Sequence, residues 1–455
     1  MTIGIGVYAF LAYLAVIIIW STVVKRSMSE SMLLGFLVVS LFGGVKNYFT
    51  TLGTALYDAA TQEILLATML FVFMSVIMTK TGIIRELIEI LNSLIGRLRG
   101  GSAYVSVLAS ALFGLVSGNS VANSATVGTI TIPWMIESGW PKETAATICA
   151  GNAGSGQSFP SSSAMFIMLG LPQVAAAVTI DNFYLAMLTA GLWCVLYRLI
   201  IVRFYVSKYH VQAIAGADIL PVGKALKKDW PSLLMFVSIA IPLILTISPL
   251  ADKLKAVESF GSAGVKSISI VLWVPILMSI ICIAEGWKHL PHTVSGWKDL
   301  LMGTQSSFSN VGVILLFAIA GSNVLSAVGF GDDLNLLLQS LALPKFVLVI
   351  AIGILVALVG GPLSGVATTI AMGPVAYAAM TGAGISPIAA VAAFLIWMST
   401  EGASPPSSSP IFVSCGLAGV DKVQVTFFPL VFHYVIPIIL IGALIALGIL
   451  PIAMP

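Results

Sequence analysis

Residues 3–20 carry no charge, and comparable apolar runs recur at about 31–44, 60–79, 183–202, 232–250, 267–284, 309–328 and 425–450. A helix needs about 20 apolar residues to cross a bilayer. Runs of this kind along the whole chain specify an all-α polytopic membrane protein with room for about a dozen membrane segments. Composition agrees. Only 9% of residues are charged and 58% are hydrophobic, and the mean hydropathy is +1.06. A soluble domain carries about 25% charged residues. So few charges cannot cover the surface of a water-soluble enzyme, nor build a basic face, so no nucleic acid is expected as partner. Membrane lipid is. Cys149, Cys194, Cys282 and Cys415 lie in apolar segments without metal-site spacing and read as small packing residues. The N-terminal stretch lacks the pattern of a cleaved signal peptide, so residues 3–20 are expected to form the first span.

The charges between the runs set an orientation. With the N-terminus outside, Lys25, Arg26, Lys80, Arg85, Arg97, Arg99, Lys142, Arg203, Lys208, Lys224, Lys227, Lys228, Lys288, Lys298 and Lys422 fall inside. Lys46, Lys253, Lys255, Lys266 and Lys345 fall outside. Such an excess of basic residues on the inner side is the orienting signal of membrane proteins, and it puts both termini in the periplasm. Arg198, near the inner end of its span, is expected to snorkel to the surface.

Two blocks, 103–170 and 344–418, are apolar but interrupted by Gly, Ser, Asn and Pro. They are related. Val121, Ala122 and Gly128 of SVANSATVG match Val366, Ala367 and Gly373 of GVATTIAMG at an offset of 245. GQSFPSSS (156–163) and GASPPSSS (402–409) share six of eight residues at an offset of 246. One short amphipathic helix precedes each block, at residues 84–95 and 332–341, too short to span and suited to the interface. The orientation places the first at the inner face and the second at the outer face, so the halves are inverted. Secondary transporters built this way bind substrate at the repeat interface near mid-membrane.

Each block is expected to hold a re-entrant hairpin, with tips at 117–123 and 360–369, and a broken helix, unwound at 151–163 and 399–409. Backbone freed at bilayer depth is tolerated only where it is buried in protein or lines a wet cavity. Its carbonyls, with Ser, Thr and Asn oxygens, are hard ligands suited to Na⁺. Half-helix N-termini pointing at the same place suit a carboxylate. Each tip is expected to meet the unwound span of its own half, giving two cation sites with substrate between them. Asn123, Ser124, Ser161, Ser162, Thr368, Thr369, Ser407 and Ser408 are the candidate substrate contacts. Glu401 is the only carboxylate within either block at membrane depth, and its counterpart is Ser155. An intramembrane carboxylate is a functional candidate. Na⁺ ligand, proton-coupling group and hydrogen-bonded structural acid all remain open. His433, outside the repeat motifs, reads as a packed, hydrogen-bonded histidine.

The run from Arg99 to Gly114 (RGGSAYVSVLASALFG), then SGNSVA (117–122), GTITIP (128–133), SPP (404–406) and IFVSCGLAGV (411–420), resembles the DctM-like large membrane subunit of TRAP (tripartite ATP-independent periplasmic) transporters. The resemblance runs from about residue 55 to the C-terminus. It implies an elevator-type carrier of the bacterial inner membrane that imports small organic acids on a Na⁺ gradient. A periplasmic substrate-binding protein would supply it, and a small membrane subunit on a separate chain would accompany it. By position, it implies one Na⁺ site at Ser117, Gly118, Asn119 and Ser120 with Gly151, Asn152, Gly154 and Ser155. The other would be Gly361, Ser364 and Thr368 with Ser399, Thr400 and Gly402.

The chain then divides into scaffold spans (1–80), an interfacial arm, hairpin and broken helix of the transport domain (81–170), linking scaffold spans (171–330), a second arm, hairpin and broken helix (331–420) and a C-terminal span (421–455). The expected function is Na⁺-coupled organic-acid import. The alternatives are a proton-coupled carrier using Glu401, a cation/proton exchanger of the same fold, or a channel. No HExxH, GxSxG or P-loop pattern occurs in the sequence, so no enzyme, catalytic residue or cofactor beyond Na⁺ or H⁺ is expected.

Overall fold

The computed structural model describes residues 4–160, 162–213, 219–247, 249–257, 261–339, 344–360, 365–406 and 408–453. All regular structure among them is helical. Four helical stretches are long and apolar enough to cross a membrane: Glu63–Thr81, Asn182–Tyr209, Val222–Thr246 and Val423–Ala446. Shorter apolar helices surround them, among them Ile5–Ile18, Ile270–Glu285 and Lys345–Gly360. Two helices exceed their expected spans. Ile180–Tyr209 has 30 residues and Val294–Ala327 has 34, roughly 50 Å at 1.5 Å per residue. The latter begins in a polar stretch, where the Thr293 side chain accepts the Gly296 amide. A hydropathy reading starts only where that helix turns apolar. Tyr48–Ala60 is a further short helix between the second and third spans.

The helices sort into two packed groups. Ile5–Ile18, Met28–Ser40, Glu63–Thr81, Met235–Ile247, Ile270–Glu285 and Val294–Ala327 pack against one another. The interrupted blocks form the other group, with Lys142–Ala153 and Ser409–Ala418 against Ser120–Glu137, and Pro387–Met398 against Ile436–Ala446. The expected 171–330 scaffold unit does not pack as one. Ile180–Tyr209 lies against Gly101–Ser117, Ser155–Ser158 and Pro387–Met398, and its small residues Ala186, Ala190 and Cys194, which share one side of the helix, are fully buried.

Both interfacial helices are present, as Ile83–Ile95 and Phe330–Gln339. Each is reached through a left-handed glycine, Gly82 and Gly329, and left-handed Gly139 and Gly384 follow the two hairpins. Each arm is also tied to the first group. Asp333 accepts the Gly6 amide at 2.8 Å, placing an acid at the start of the first helix, where the dipole favours it. Lys228 holds Glu89 at 2.6 Å across from Val222–Asp229.

Arg198 departs from expectation. Its side chain has no exposed surface, and none of its three guanidinium nitrogens has a hydrogen-bond partner among the described residues. It does not snorkel, because Ile180–Tyr209 continues for eleven residues beyond it and Arg198 lies on the buried side, away from the exposed Leu192, Leu196 and Ile200.

Two outcomes follow from this packing. Burial, then Asp229, Glu285 and Glu89 against His289, holds Glu86 above the usual carboxylate range. A raised folded-state value favours folding as pH falls and costs stability once pH exceeds it. Glu86→Gln should therefore stabilise the purified protein at pH 7.5, with the gain vanishing below pH 4 in thermal melts. A Cβ on Gly154 would fall on the Ser399 carbonyl oxygen, whereas one on Gly416 meets open space. Gly154→Val should cost ~1–3 kcal/mol or more, and Gly416→Ala should leave the melting temperature unchanged or higher.

Candidate functional site

The first hairpin turns within two residues. Gly101–Ser117 ends at Gly118, which adopts φ +57°, a conformation that suits glycine. Asn119 then caps the next helix, Ser120–Glu137, by accepting the Ala122 amide at 3.0 Å. The first broken helix runs Lys142–Ala153, turns at Gly154, makes the short Ser155–Ser158 helix, and resumes as Ser163–Gly170. The second runs Pro387–Met398, tightens into Ser399–Ala403, and resumes as Ser409–Ala418.

Glycines let these backbones touch. A Cβ on Gly156 would stand 3.0 Å from the Asn119 nitrogen, and one on Gly114 would stand 2.6 Å from the Ser155 carbonyl oxygen. The first tip thus meets the unwound span of its own half. The two breaks also meet each other: a Cβ on Gly402 would lie 2.7 Å from the Gly154 nitrogen. Trp397, fully buried between Gly353 and Gly442, fixes the second break by donating to the Ile439 carbonyl at 3.0 Å.

Between the two packed groups lies a cavity of about 460 Å³, within the size range of small-molecule sites. Thr68, Phe71, Val72, Ser75, Val76 and Val311 line one wall. Gly118 to Ala122, Gln157, Ser163, Phe166, Gly365, Val366 and Glu401 line the other. Gln157 Nε2 donates to Glu401 Oε2 at 3.5 Å, and the Gly365 backbone N–H donates to the same carboxylate.

The expected residues fall into three sets. Gly118, Asn119 and Ser120 line the cavity. Gly151, Asn152, Gly154, Ser155, Ser399, Thr400 and Gly402 lie at or beside the crossing of the two breaks; Gly151 is filled from outside by the Tyr434 ring, and Thr400 bonds the Trp397 carbonyl at 2.7 Å. For Ser117 only the backbone is described, and Ser161, Gly361, Ser364 and Ser407 lie outside the described residues. Several substrate candidates face elsewhere. Asn123 donates across the hairpin to the Ser110 carbonyl, and Ser124 bonds back to Val121. Ser162 caps Ser163–Gly170 by accepting the Met165 amide. Thr369 bonds back to Gly365, and Ser408 stands at the start of Ser409–Ala418. Those serines, threonines and asparagines were chosen for polarity, and helix rotation turns them into the protein interior.

Around the breaks, buried polar atoms lack hydrogen-bond partners among the described residues: Ser120 Oγ, both amide atoms of Asn152, Ser155 Oγ, Gln157 Oε1, Thr368 Oγ1 and Ser399 Oγ. Each would cost about 1–3 kcal/mol if left so. A cluster of neutral oxygens of this kind fits a hard monovalent cation. Among the described residues no group of three or more His, Cys, Asp or Glu could hold a metal ion.

Sequence reasoning missed Gln157, Thr68 and Ser75. Gln157 is where the otherwise alike GQSFPSSS and GASPPSSS differ, and Thr68 and Ser75 share one helical face seven residues apart. His433 is packed and bonded, with the Tyr205 hydroxyl 2.6 Å from Nδ1 and Tyr197 donating to its carbonyl. Arg198 does not line the cavity; Cys194, Tyr434 and Tyr197 are the ionisable groups around it, and none is an acid.

Residues 7–447 match the family described as tripartite ATP-independent periplasmic transporter, DctM component. The chain is 23% identical over 391 residues to the C4-dicarboxylate TRAP transporter large permease protein DctM of Pseudomonas aeruginosa, covering 85% of this chain and 84% of that one. Its fold resembles the crystal structure of the Alcanivorax borkumensis YdaH transporter, with TM-score 0.66 and 18% identity over 90% of this chain and 89% of that one. It also resembles Neisseria gonorrhoeae MtrF, with TM-score 0.67 and 17% identity over 91% and 87% of the two chains.

A buried, unpaired guanidinium is expensive, and a methionine of similar length removes that cost. Arg198→Met should raise the melting temperature of the purified protein. A fall of several degrees would mean that the guanidinium is satisfied in the folded protein and holds the Tyr434 region together.

Proposed function

Because the chain belongs to the DctM component family of tripartite ATP-independent periplasmic transporters, we propose that it is the large membrane subunit of a Na⁺-driven importer of a small organic acid. Members of this family are membrane transporter subunits that work with a small membrane subunit and a periplasmic binding protein. For this chain we take those two as its partners, on separate chains, and the inner membrane as its location, with both termini periplasmic as the basic residues suggest.

One observation carries the reading. The cavity lies between the two helix groups, and its far wall includes the first hairpin turn, Gly365 and residues of both breaks, near buried polar atoms that have no partner among the described residues. Na⁺ at Ser117, Gly118, Asn119 and Ser120 with Gly151, Asn152, Gly154 and Ser155 would order the first tip. A second Na⁺ at Gly361, Ser364, Thr368, Ser399, Thr400 and Gly402 would do the same in the other half. The ordered tips, with the helix N-termini at Ser120 and Gly365, would complete a site for the acid group. Cation charge would offset substrate charge during the crossing.

Movement follows from the packing. The group containing Ile5–Ile18 and Val294–Ala327 serves as scaffold, and the arms at Ile83–Ile95 and Phe330–Gln339 join it to the hairpin helices, on which they also pack. The hairpins and broken helices move as the transport domain, carrying Ile180–Tyr209 and the C-terminal span, which pack on them. The repeat at offsets 245 and 246, with left-handed glycines at Gly82 and Gly329 and at Gly139 and Gly384, supports an inverted duplication behind this motion. A second reading, proton coupling, is favoured by one fact: Glu401 lines the cavity.

A thermal-unfolding titration with NaCl against KCl at pH 6 and pH 8 separates them. A ligand bound only by the folded state stabilises it by about 2.7 kcal/mol at 100 Kd. A saturable rise with Na⁺ alone is expected, and Ser155→Ala with Ser399→Ala should abolish it without lowering stability in KCl, since each removes a buried hydroxyl with no partner among the described residues. A response to pH alone, lost in Glu401→Gln, would replace Na⁺ coupling with proton coupling.

A further inference from the structure

We infer that the substrate is a zwitterion, with its acid group at the Ser120 helix N-terminus and an ammonium group at Glu401 and Gln157. The inference rests on the carrier reading above and narrows its substrate class.

Two parts of the cavity lining are chemically unlike. At the first hairpin, Asn119 takes the Ala122 amide. The Ser120 and Val121 amides have no partner within the helix by position, and both residues line the cavity. Ser120 Oγ is buried there without a partner among the described residues. Donors and the positive end of an 18-residue helix suit a carboxylate or sulfonate.

The second hairpin places a helix N-terminus at Gly365 in the same cavity, but that end is already answered by Glu401, which accepts from the Gly365 amide and from Gln157. In the first half the position equivalent to Glu401 is Ser155, which is neutral and buried. The repeat therefore offers one free anion-binding helix end and one end occupied by a carboxylate. No Lys or Arg lines the cavity among the described residues, and none pairs with Glu401.

A dicarboxylate would bring its second charge against Glu401, where like charges oppose each other strongly at low dielectric. An ammonium group carries three donors and no acceptor. The Glu401 carboxylate and the buried Oε1 of Gln157, which has no partner among the described residues, are acceptors for it. Two N–H donors already aimed at the Glu401 carboxylate disfavour a Na⁺ on that oxygen, since a metal ion needs several oxygens around it. An ammonium needs one acceptor per donor.

The test uses the full chain reconstituted in lipid nanodiscs with saturating NaCl. Melting temperature is titrated with β-alanine, γ-aminobutyrate and taurine against succinate, for the native chain and for Glu401→Gln. At least one amino acid or aminosulfonate should stabilise the native chain at a concentration tenfold or more below that needed for succinate. Glu401→Gln should weaken that ligand at least tenfold, narrow the preference over succinate, and keep the Na⁺ shift. The inference is overturned if succinate binds the native chain as well as the best zwitterion, or if Na⁺ stabilises the native chain and no zwitterion does. It is also overturned if Glu401→Gln loses the Na⁺ shift with the ranking intact, which would make the carboxylate a sodium ligand. The native-chain ranking decides even where the variant does not fold. Absence of a Na⁺ shift in the native chain would instead sink the Na⁺-driven reading on which the inference rests.

Discussion

Backbone polar groups deep in a bilayer must find partners within the protein, and the architecture of this chain is arranged around the places where they do not find them in a helix. Lys142–Ala153 and Pro387–Met398 both stop at mid-block, and the two breaks lie against each other with Gly154 on the Ser399 carbonyl and Gly402 on the Gly154 nitrogen. Any side chain at Gly154 would push the crossing apart. Trp397 is wedged behind it, its indole nitrogen spent on the Ile439 carbonyl. The crossing makes a rigid floor, and the polar atoms it strands, from Asn152 to Ser399, are the reason to look for a ligand there.

This floor faces the first group of helices across the cavity. The cavity lies along that boundary, walled on one side by Thr68, Phe71 and Ser75 and on the other by the hairpin turn and Glu401. The arms at Ile83–Ile95 and Phe330–Gln339 are pinned to the first layer by Lys228–Glu89 and by Asp333 on the Gly6 amide. An exposed ion pair of this kind contributes about 0.2–1 kcal/mol, so the pins locate the arms while the apolar burial of Ile84, Leu87 and Ile88 carries the energy. On the proposed reading these arms are where the moving and fixed parts join.

On the reading of an inverted duplication the two halves are similar, and function comes from where they differ. Ser155 and Glu401 occupy equivalent positions, as do Gln157 and Ala403. One substitution places a charge, the other the amide that contacts it across the interface between halves at 3.5 Å. The backbone differs there too, a short α-helix at Ser155–Ser158 against a tightened turn at Ser399–Ala403, so the asymmetry is one of both side chain and path.

The sequence by itself determined the class of protein, the helical spans, the repeat, the amphipathic arms and the position of both breaks. Each of these is written in local signals: runs of apolar residues, the Gly-Ser-Asn interruptions, and equal offsets between the blocks. It also singled out Glu401, because a carboxylate in an apolar block stands out without any coordinates. Only the tertiary structure decided which side chains face the cavity. Asn123 and Ser124 turn into the hairpin while Gln157, Thr68 and Ser75 turn toward the cavity, because helix rotation and the partner across the gap set direction, and polarity along the chain does not. The same holds for Arg198. A lone arginine near a span's end reads as a snorkelling residue, yet the helix runs on past it and turns it to its buried face. Ile180–Tyr209 likewise packs on the broken-helix layer, a choice between neighbours that no single stretch of sequence encodes.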